Sequence, residues 1–166
     1  SDKWRTVWAI INEPTPGRAL AERDLSGANL EGAQLQGADL RQADLRLAHL
    51  GGADLTDAEL AGAKLHQAQI DEQTQLAPKW RTVWQIVNTT QLGHQLTDID
   101  LSAANLNQAF LRAADLRGAS LQAVTLIDGD LREAQLVGAT LRNSNLTDTT
   151  LRGADLQGAD LVGANL

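Results

Sequence analysis

The stretch GADLRQADLRLAHLGGADLTDAEL, residues 37–60, places Leu at 40, 45, 50, 55 and 60 and Ala at 38, 43, 48, 53 and 58. Neither standard element turns that spacing into one buried face. In an α-helix each residue turns about 100°, so leucines five apart are rotated about 140° from one another and form no stripe. In a straight strand side chains alternate, and an odd spacing sends successive leucines to opposite faces. A chain that bends once every five residues keeps them together. Each short extended segment points its central Leu inward, turns a corner and repeats. Four such sides close a square coil of about twenty residues, and stacked coils share backbone hydrogen bonds at a spacing of about 4.8 Å.

The register extends in both directions. The centre is Leu at every fifth position from 20 to 65, then Ile70, and again Leu at every fifth position from 96 to 166. Two residues before the centre stands Ala at every repeat from 28 to 68, and at 104, 109, 114, 119, 134, 139, 154, 159 and 164. A Leu and an Ala pointing inward fill a narrow core. Two residues after the centre Gly is frequent, as at Gly27, Gly32, Gly37, Gly118, Gly138 and Gly158. A type II corner needs φ > 0 there, which Gly supplies without strain. The other positions are mostly polar and face water.

GADLRQADL (37–45) and GADLQGADLVGANL (153–166) resemble the A(D/N)LXX pattern of the pentapeptide repeat proteins. The resemblance covers roughly residues 18–72 and 94–166, and the cyanobacterial members are nearest in character. It implies an all-β solenoid, a right-handed quadrilateral β-helix; only the handedness goes beyond the spacing argument. Many members carry Phe at some centres, whereas this chain has none there. The best-known activity in the family is mimicry of B-form DNA, by which certain members bind DNA gyrase and compete for its DNA site.

A longer repeat overlies the short one. KWRTVWAIIN at 3–12 recurs as KWRTVWQIVN at 79–88, an offset of 76 that also maps Gly17 onto Gly93 and Leu20 onto Leu96. The chain reads as two tandem units. Trp4, Val7, Trp8 and Ile11, and likewise Trp80, Val83, Trp84 and Val87, fall at i, i+3, i+4 and i+7, the spacing of amphipathic α-helices at 3–12 and 79–88. Asp2 suits an N-cap and Pro78 a first helical turn. An open solenoid end exposes leucines and unpaired backbone, so such helices are expected to cap it. The organisation is an N-terminal capping helix and loop (1–17), a first repeat unit (18–76), a helical insertion or cap (77–93) and a second repeat unit (94–166). The second helix is expected either to cap the second stack or, preferably, to be displaced sideways while the stack continues. The pattern reaches Leu166 uncapped, which leaves that coil open, covered by further residues, or paired in an end-to-end homodimer.

The chain has 166 residues, no Cys, and a net charge of -7, from 14 Lys+Arg against 21 Asp+Glu. Disulfides and thiolate chemistry are excluded, and a nucleic-acid partner, which needs a basic patch, is not expected. No apolar run approaches the ~18 residues of a membrane span, and the first ten residues do not read as a signal peptide. A soluble cytoplasmic protein is the expectation. CxxC, GxSxG, P-loop and HExxH motifs are absent. His49 and His66 fall at outward positions, and His94 aligns with Arg18 at the start of the second stack. Asp155 and Asp160 lie on adjacent sides of a coil, and a filled prism offers no cleft for a carboxylate pair. Left-handed β-helix acyltransferases repeat every six residues, and this chain keeps to five. No enzyme, cofactor or metal is therefore expected.

Residues twenty apart stack on one side. Arg112, Arg132 and Arg152 form a ladder; Asp115 and Asp155 stack on the next side with Gln135 between them; Asp39 and Glu59 make a shorter acidic pair. These seven residues are the candidate interaction surface of a protein-binding scaffold whose partner the sequence does not name. The alternative is a DNA mimic acting on gyrase.

Overall fold

The computed structural model describes residues 2–13 and 15–166. Ser1 and Pro14, both within the N-terminal cap and loop read at 1–17, lie outside the described residues. The chain divides into two compact units, Ser1–Trp84 and Gln85–Leu166.

In the first unit parallel bridges join residues twenty apart, from Ala19↔Asp39 to His49↔Gln69, and four bridges complete each coil. In the second they run from Gln95↔Asp115 to Asn145↔Asn165 at the same interval. The square coil expected from the five-residue spacing is thus present in both. Among the described residues the register slips once: Asp54 bridges Gln75, twenty-one residues on. The extra residue lies between 70 and 75, where Thr74 turns inward and is buried. Its hydroxyl donates to the Leu50 carbonyl at 2.9 Å, and its amide donates to the Asp71 carboxylate at 2.8 Å.

Every amide of the five-residue unit has a destination, as a buried backbone requires. Around Leu45, the Leu45 N–H donates to Lys64 O of the next coil (3.0 Å) and the Leu47 N–H to His66 O (3.1 Å). The His49 N–H donates to Ala28 O of the previous coil (2.9 Å), and the Ala48 N–H closes the corner onto Leu45 O (3.1 Å). The fifth, the N–H of Arg46, donates to the Asp44 side chain at 3.1 Å. The same contact recurs at Asn29, Asp39, Asn105, Asp115, Asp130 and Asp160. It gives Asp or Asn before the central Leu a structural reason: a short side-chain acceptor reaches the one amide that the coil leaves over.

The centre and the residue two before it form the core. Leu30, Leu45, Leu106, Leu116 and Leu136 are fully buried, as are Ala38, Ala53 and Ala114. Where Ala gives way to Gly129, the Leu126 side chain occupies the freed space: a Cβ there would lie 2.7 Å from Leu126 Cγ. Phe110, absent from the centres as expected, stands at an outward bridge position opposite Asp130.

Helix α1 spans Asp2–Asn12 and helix α2 Pro78–Val87, close to the expected ranges. Asp2 belongs to the first turn of α1, and Pro78 opens α2. The capping face of α1 differs from the sequence reading. Val7 and Ile10 are buried, whereas Trp4 and Trp8 are each 58% exposed and Ile11 is 49% exposed. Helical spacing marks out the apolar stripe of α1 and does not say which edge of it is seated. Polar contacts fix the observed rotation: Lys3 Nζ reaches Ser26 Oγ at 2.9 Å and Asp24 at 3.3 Å. Arg18 donates to the Ala9 carbonyl at 3.2 Å and to the Glu13 carbonyl at the C-terminal end of the helix. In α2, Val83 and Ile86 are buried and Trp80, Trp84 and Val87 half-buried. Ile10 and Ile86 were missing from the expected sets.

Candidate interaction surface

The outward side chains stand in rows fixed by the bridges. Asp39 bridges Glu59; Asp115 bridges Gln135, which bridges Asp155. The arginines stack through the corner that follows: the Ala113 N–H donates to Arg132 O and the Glu133 N–H to Arg152 O. All seven candidate residues therefore occupy the expected rows.

Their charges are largely engaged within the surface. Arg41 forks onto Asp39, with Nε 2.8 Å from Oδ1 and a terminal nitrogen 2.7 Å from Oδ2, and also meets Glu59 at 3.3 Å. Arg117 holds Asp115 in the same two-pronged way at 2.8 and 2.6 Å, and Arg132 holds Asp130. Arg46 holds Asp44 likewise. Arg112 meets Glu133 at 2.8 Å. Arg152 and Asp155 are exposed, and Asp155 accepts the Gln157 amide. The ladder is thus not three equivalent cations: Arg132 is tied to its own strand, Arg112 reaches toward the next coil, and Arg152 stands outward.

This local pairing escaped the sequence reading, although its signal was present. The tripeptide Asp-Leu-Arg occurs at 39–41, 44–46, 115–117 and 130–132, and residues two apart in an extended segment share a face. The Arg41 side chain, hydrogen-bonded to Asp39, lowers the Asp39 pKa to about 2. Arg117 lowers that of Asp115 to about 2 in the same way. Hydrogen bonds from Ser26 lower Asp24 to about 2.

The histidines divide as expected. His49 and His66 are partly exposed outward residues. His94 starts the second stack with its Nε2 buried and without a hydrogen-bond partner, and burial lowers its pKa. Among the described residues no cluster of His, Cys, Asp or Glu has the proximity to hold a metal ion. No helix among them is long and apolar enough to cross a membrane. A shallow recess beside the register slip is lined by Thr56, Asp57, Thr74, Gln75, Leu76 and Ala77, with Asp57 its one titratable group.

The pattern described as Pentapeptide repeats matches in eight copies over residues 24–58, 43–72, 95–132 and 130–166, and the chain belongs to that family. No curated protein sequence matches it. Among solved structures, a pentapeptide repeat protein from Nostoc PCC 7120 is 37% identical over 44% of this chain and 62% of its own, with a TM-score of 0.42. The match therefore spans less than two thirds of that relative's length. HetL, a pentapeptide repeat protein involved in heterocyst differentiation regulation from Nostoc sp. strain PCC 7120, is 25% identical over 100% of this chain and 94% of its own, with a TM-score of 0.34. QnrB1, a plasmid-mediated fluoroquinolone resistance protein, is 17% identical over 92% of this chain and 90% of its own, with a TM-score of 0.28.

Proposed function

We propose that the protein is a non-enzymatic, cytoplasmic scaffold that binds a partner protein through the outward rows of its second unit, its coils winding right-handed as in the family. The carrying observation is the separation of labour in the coil. Leu and Ala fill the interior of the coils, and recognition falls to the stacked outward side chains. Exposed Arg152, with Arg132 and Arg112 one and two coils away, lies next to the row that ends in exposed Asp155. A partner presenting carboxylates at about 4.8 Å intervals matches such a row.

The alternative is a DNA mimic that binds gyrase. The net charge of -7 favours it. The arginines folded onto Asp39, Asp44, Asp115 and Asp130 weigh against it, since they break the continuous acidic stripe that duplex mimicry needs.

The test uses the full chain and a variant with Arg112, Arg132 and Arg152 all changed to Ala. A cross-linked protein partner that is lost in the variant while its melting curve is unchanged supports the scaffold. Inhibition of gyrase supercoiling by micromolar protein, fading as salt is added and retained in the variant, replaces it with the DNA-mimic reading.

A further inference from the structure

We infer that one side of the second unit, residues 108–112, 128–132 and 148–152, binds the same side of a second copy of this chain, with the two second-unit stacks side by side and pointing the same way. The inference rests on the proposed function and names its partner.

The corners mark out that side. The Ala109 N–H closes one corner onto Leu106 O (3.0 Å), and the Ala114 N–H closes the next onto Leu111 O (3.0 Å). One coil on, the N–H groups of Gly129 and Ala134 do the same onto Leu126 O and Leu131 O, each at 3.1 Å. Ala109, Leu111 and Leu131 lie in the core, so the side is read through its outward columns. Gln108, Asp128 and Asp148 stack along the leading edge: the Gln108 N–H donates to Ile127 O (2.8 Å) and the Asp128 N–H to Thr147 O (3.1 Å). Phe110, Asp130 and Thr150 stack along the middle. The arginine ladder, Arg112, Arg132 and Arg152, stands along the trailing edge.

The side thus carries three aspartates and three arginines, with opposite signs at opposite edges. In the middle, Asp130 is already neutralised by the fork from Arg132. That fork uses Nε and one terminal nitrogen, and the other terminal nitrogen lies outside it. Across the corner Arg112 meets Glu133, but the matching place beside Arg132 is held by Gly153, which has no carboxylate. Asp128 and Asp148 are exposed, and their carboxylates make no ion pair among the described residues. They stand one coil apart, about 4.8 Å, where like charges repel, and Gln108 brings their column no cation.

Self-pairing satisfies both edges at once. With a two-fold axis between two such sides, parallel to the stacks, each acidic edge faces the arginine edge of the other copy. Asp128 and Arg132 are four residues apart, a fifth of a coil, so their levels differ by roughly 1 Å. Arg132 therefore meets Asp128 of the second copy and Arg152 meets its Asp148, and the axis repeats both contacts. Phe110, the one Phe of the chain and half-buried, meets its own counterpart at the axis. An axis running across the stacks instead lays acid on acid and arginine on arginine, so charge selects the parallel arrangement. Both copies use the same patch, and the contact closes at a dimer. The face is small, so the dimer is expected at high protein concentration and low salt.

Sedimentation velocity of the full chain over rising concentrations at low salt tests this, with two charge-reversed variants. One carries Asp128→Arg with Asp148→Arg, the other Arg132→Glu with Arg152→Glu. Melting curves check that both fold; Gln108 and Glu133, at φ 60° and 61°, show that such corners hold long side chains. The parent is expected to reach a dimer, to go no further, and to dissociate as salt is added. Each variant alone is expected to stay monomeric, because like charges then face one another. An equal mixture of the two is expected to dimerise again, since both edges of one are basic and both edges of the other acidic. A parent that stays monomeric at the highest concentration, or that grows past a dimer, overturns the inference. A dimer that both variants keep overturns it too, as does a parent dimer indifferent to salt, whether or not the variants fold. Cross-linking separates this inference from the reading it rests on. A monomeric parent that cross-links to a different protein, and loses it when Arg112, Arg132 and Arg152 become Ala, ends the self-pairing and leaves the scaffold standing. A monomeric parent that captures nothing ends both.

Discussion

At the scale of single residues, the corners carry the conformational cost of the fold. Among the described residues, twelve corners have Gly at positive φ, and fourteen further residues, Ala113 and Leu47 among them, adopt it without that freedom. A left-handed conformation costs an L-residue roughly 1–2 kcal/mol, while Gly adds ~0.4–1 kcal/mol of unfolded-state entropy. The exposed Ala113, at φ 57°, is therefore expected to gain a few tenths to about 1 kcal/mol on change to Gly, read by urea denaturation. Gly138→Ala is expected to lose a similar amount with no steric contribution, since a Cβ there meets nothing within 4 Å. Equal stability of both variants with the parent would show that these corners relax. In the core, Leu116→Ala is expected to cost about 2–5 kcal/mol by leaving a cavity, and Leu116→Asp to prevent folding. The inward register was legible in the spacing alone because only one geometry buries every fifth residue. The Asp-Leu-Arg forks were less so, because the rows of the pattern recur at intervals of twenty while those partners stand two apart.

At the scale of elements, the helices were legible as helices, and their orientation was not. The apolar residues of α1 cover an arc wide enough for two neighbouring contacts, and periodicity does not rank one above the other. Rotation is set instead by Lys3 on Asp24 and Ser26, and by Arg18 on the last carbonyls, none of which is an apolar signal. The repeat-related tryptophans should consequently respond unequally to the same change. Trp84→Phe leaves the Ala68 carbonyl without its indole N–H donor and is expected to lower stability by about 1–3 kcal/mol. In dilute solution Trp8→Phe is expected to leave the melting temperature unchanged. Equal losses would mean that α1 is seated on its tryptophans after all.

At the scale of the molecule, charge sets the response to pH. The carboxylates of Asp24, Asp39 and Asp115 titrate at about 2 in the folded chain, against about 3.9 when unfolded. The folded state therefore binds fewer protons between those values. The stabilisation is complete above about pH 4 and is lost as pH falls toward 2. His94 adds a separate, earlier loss. Burial lowers its folded pKa, so acidification below about 6.5 protonates the unfolded chain first and favours it. Melting temperatures recorded from pH 7 to pH 2 are expected to fall in two stages, with His94→Ala removing the upper one. A single fall in the parent would mean that His94 is hydrated in both states.

The four bridges per coil also govern what gene rearrangement can do to this protein. Each side is encoded by fifteen nucleotides and each full turn by sixty. A duplication or loss of sixty nucleotides lengthens or shortens a stack and returns every later residue to its own side. A change of fifteen keeps the leucines inward but moves everything downstream a quarter-turn, so that the arginine row would follow on from a different face. A single inserted codon, as between residues 70 and 75, throws the inward pattern out of phase. Copying errors in such a gene therefore act as length and rotation settings for a surface whose interior stays the same.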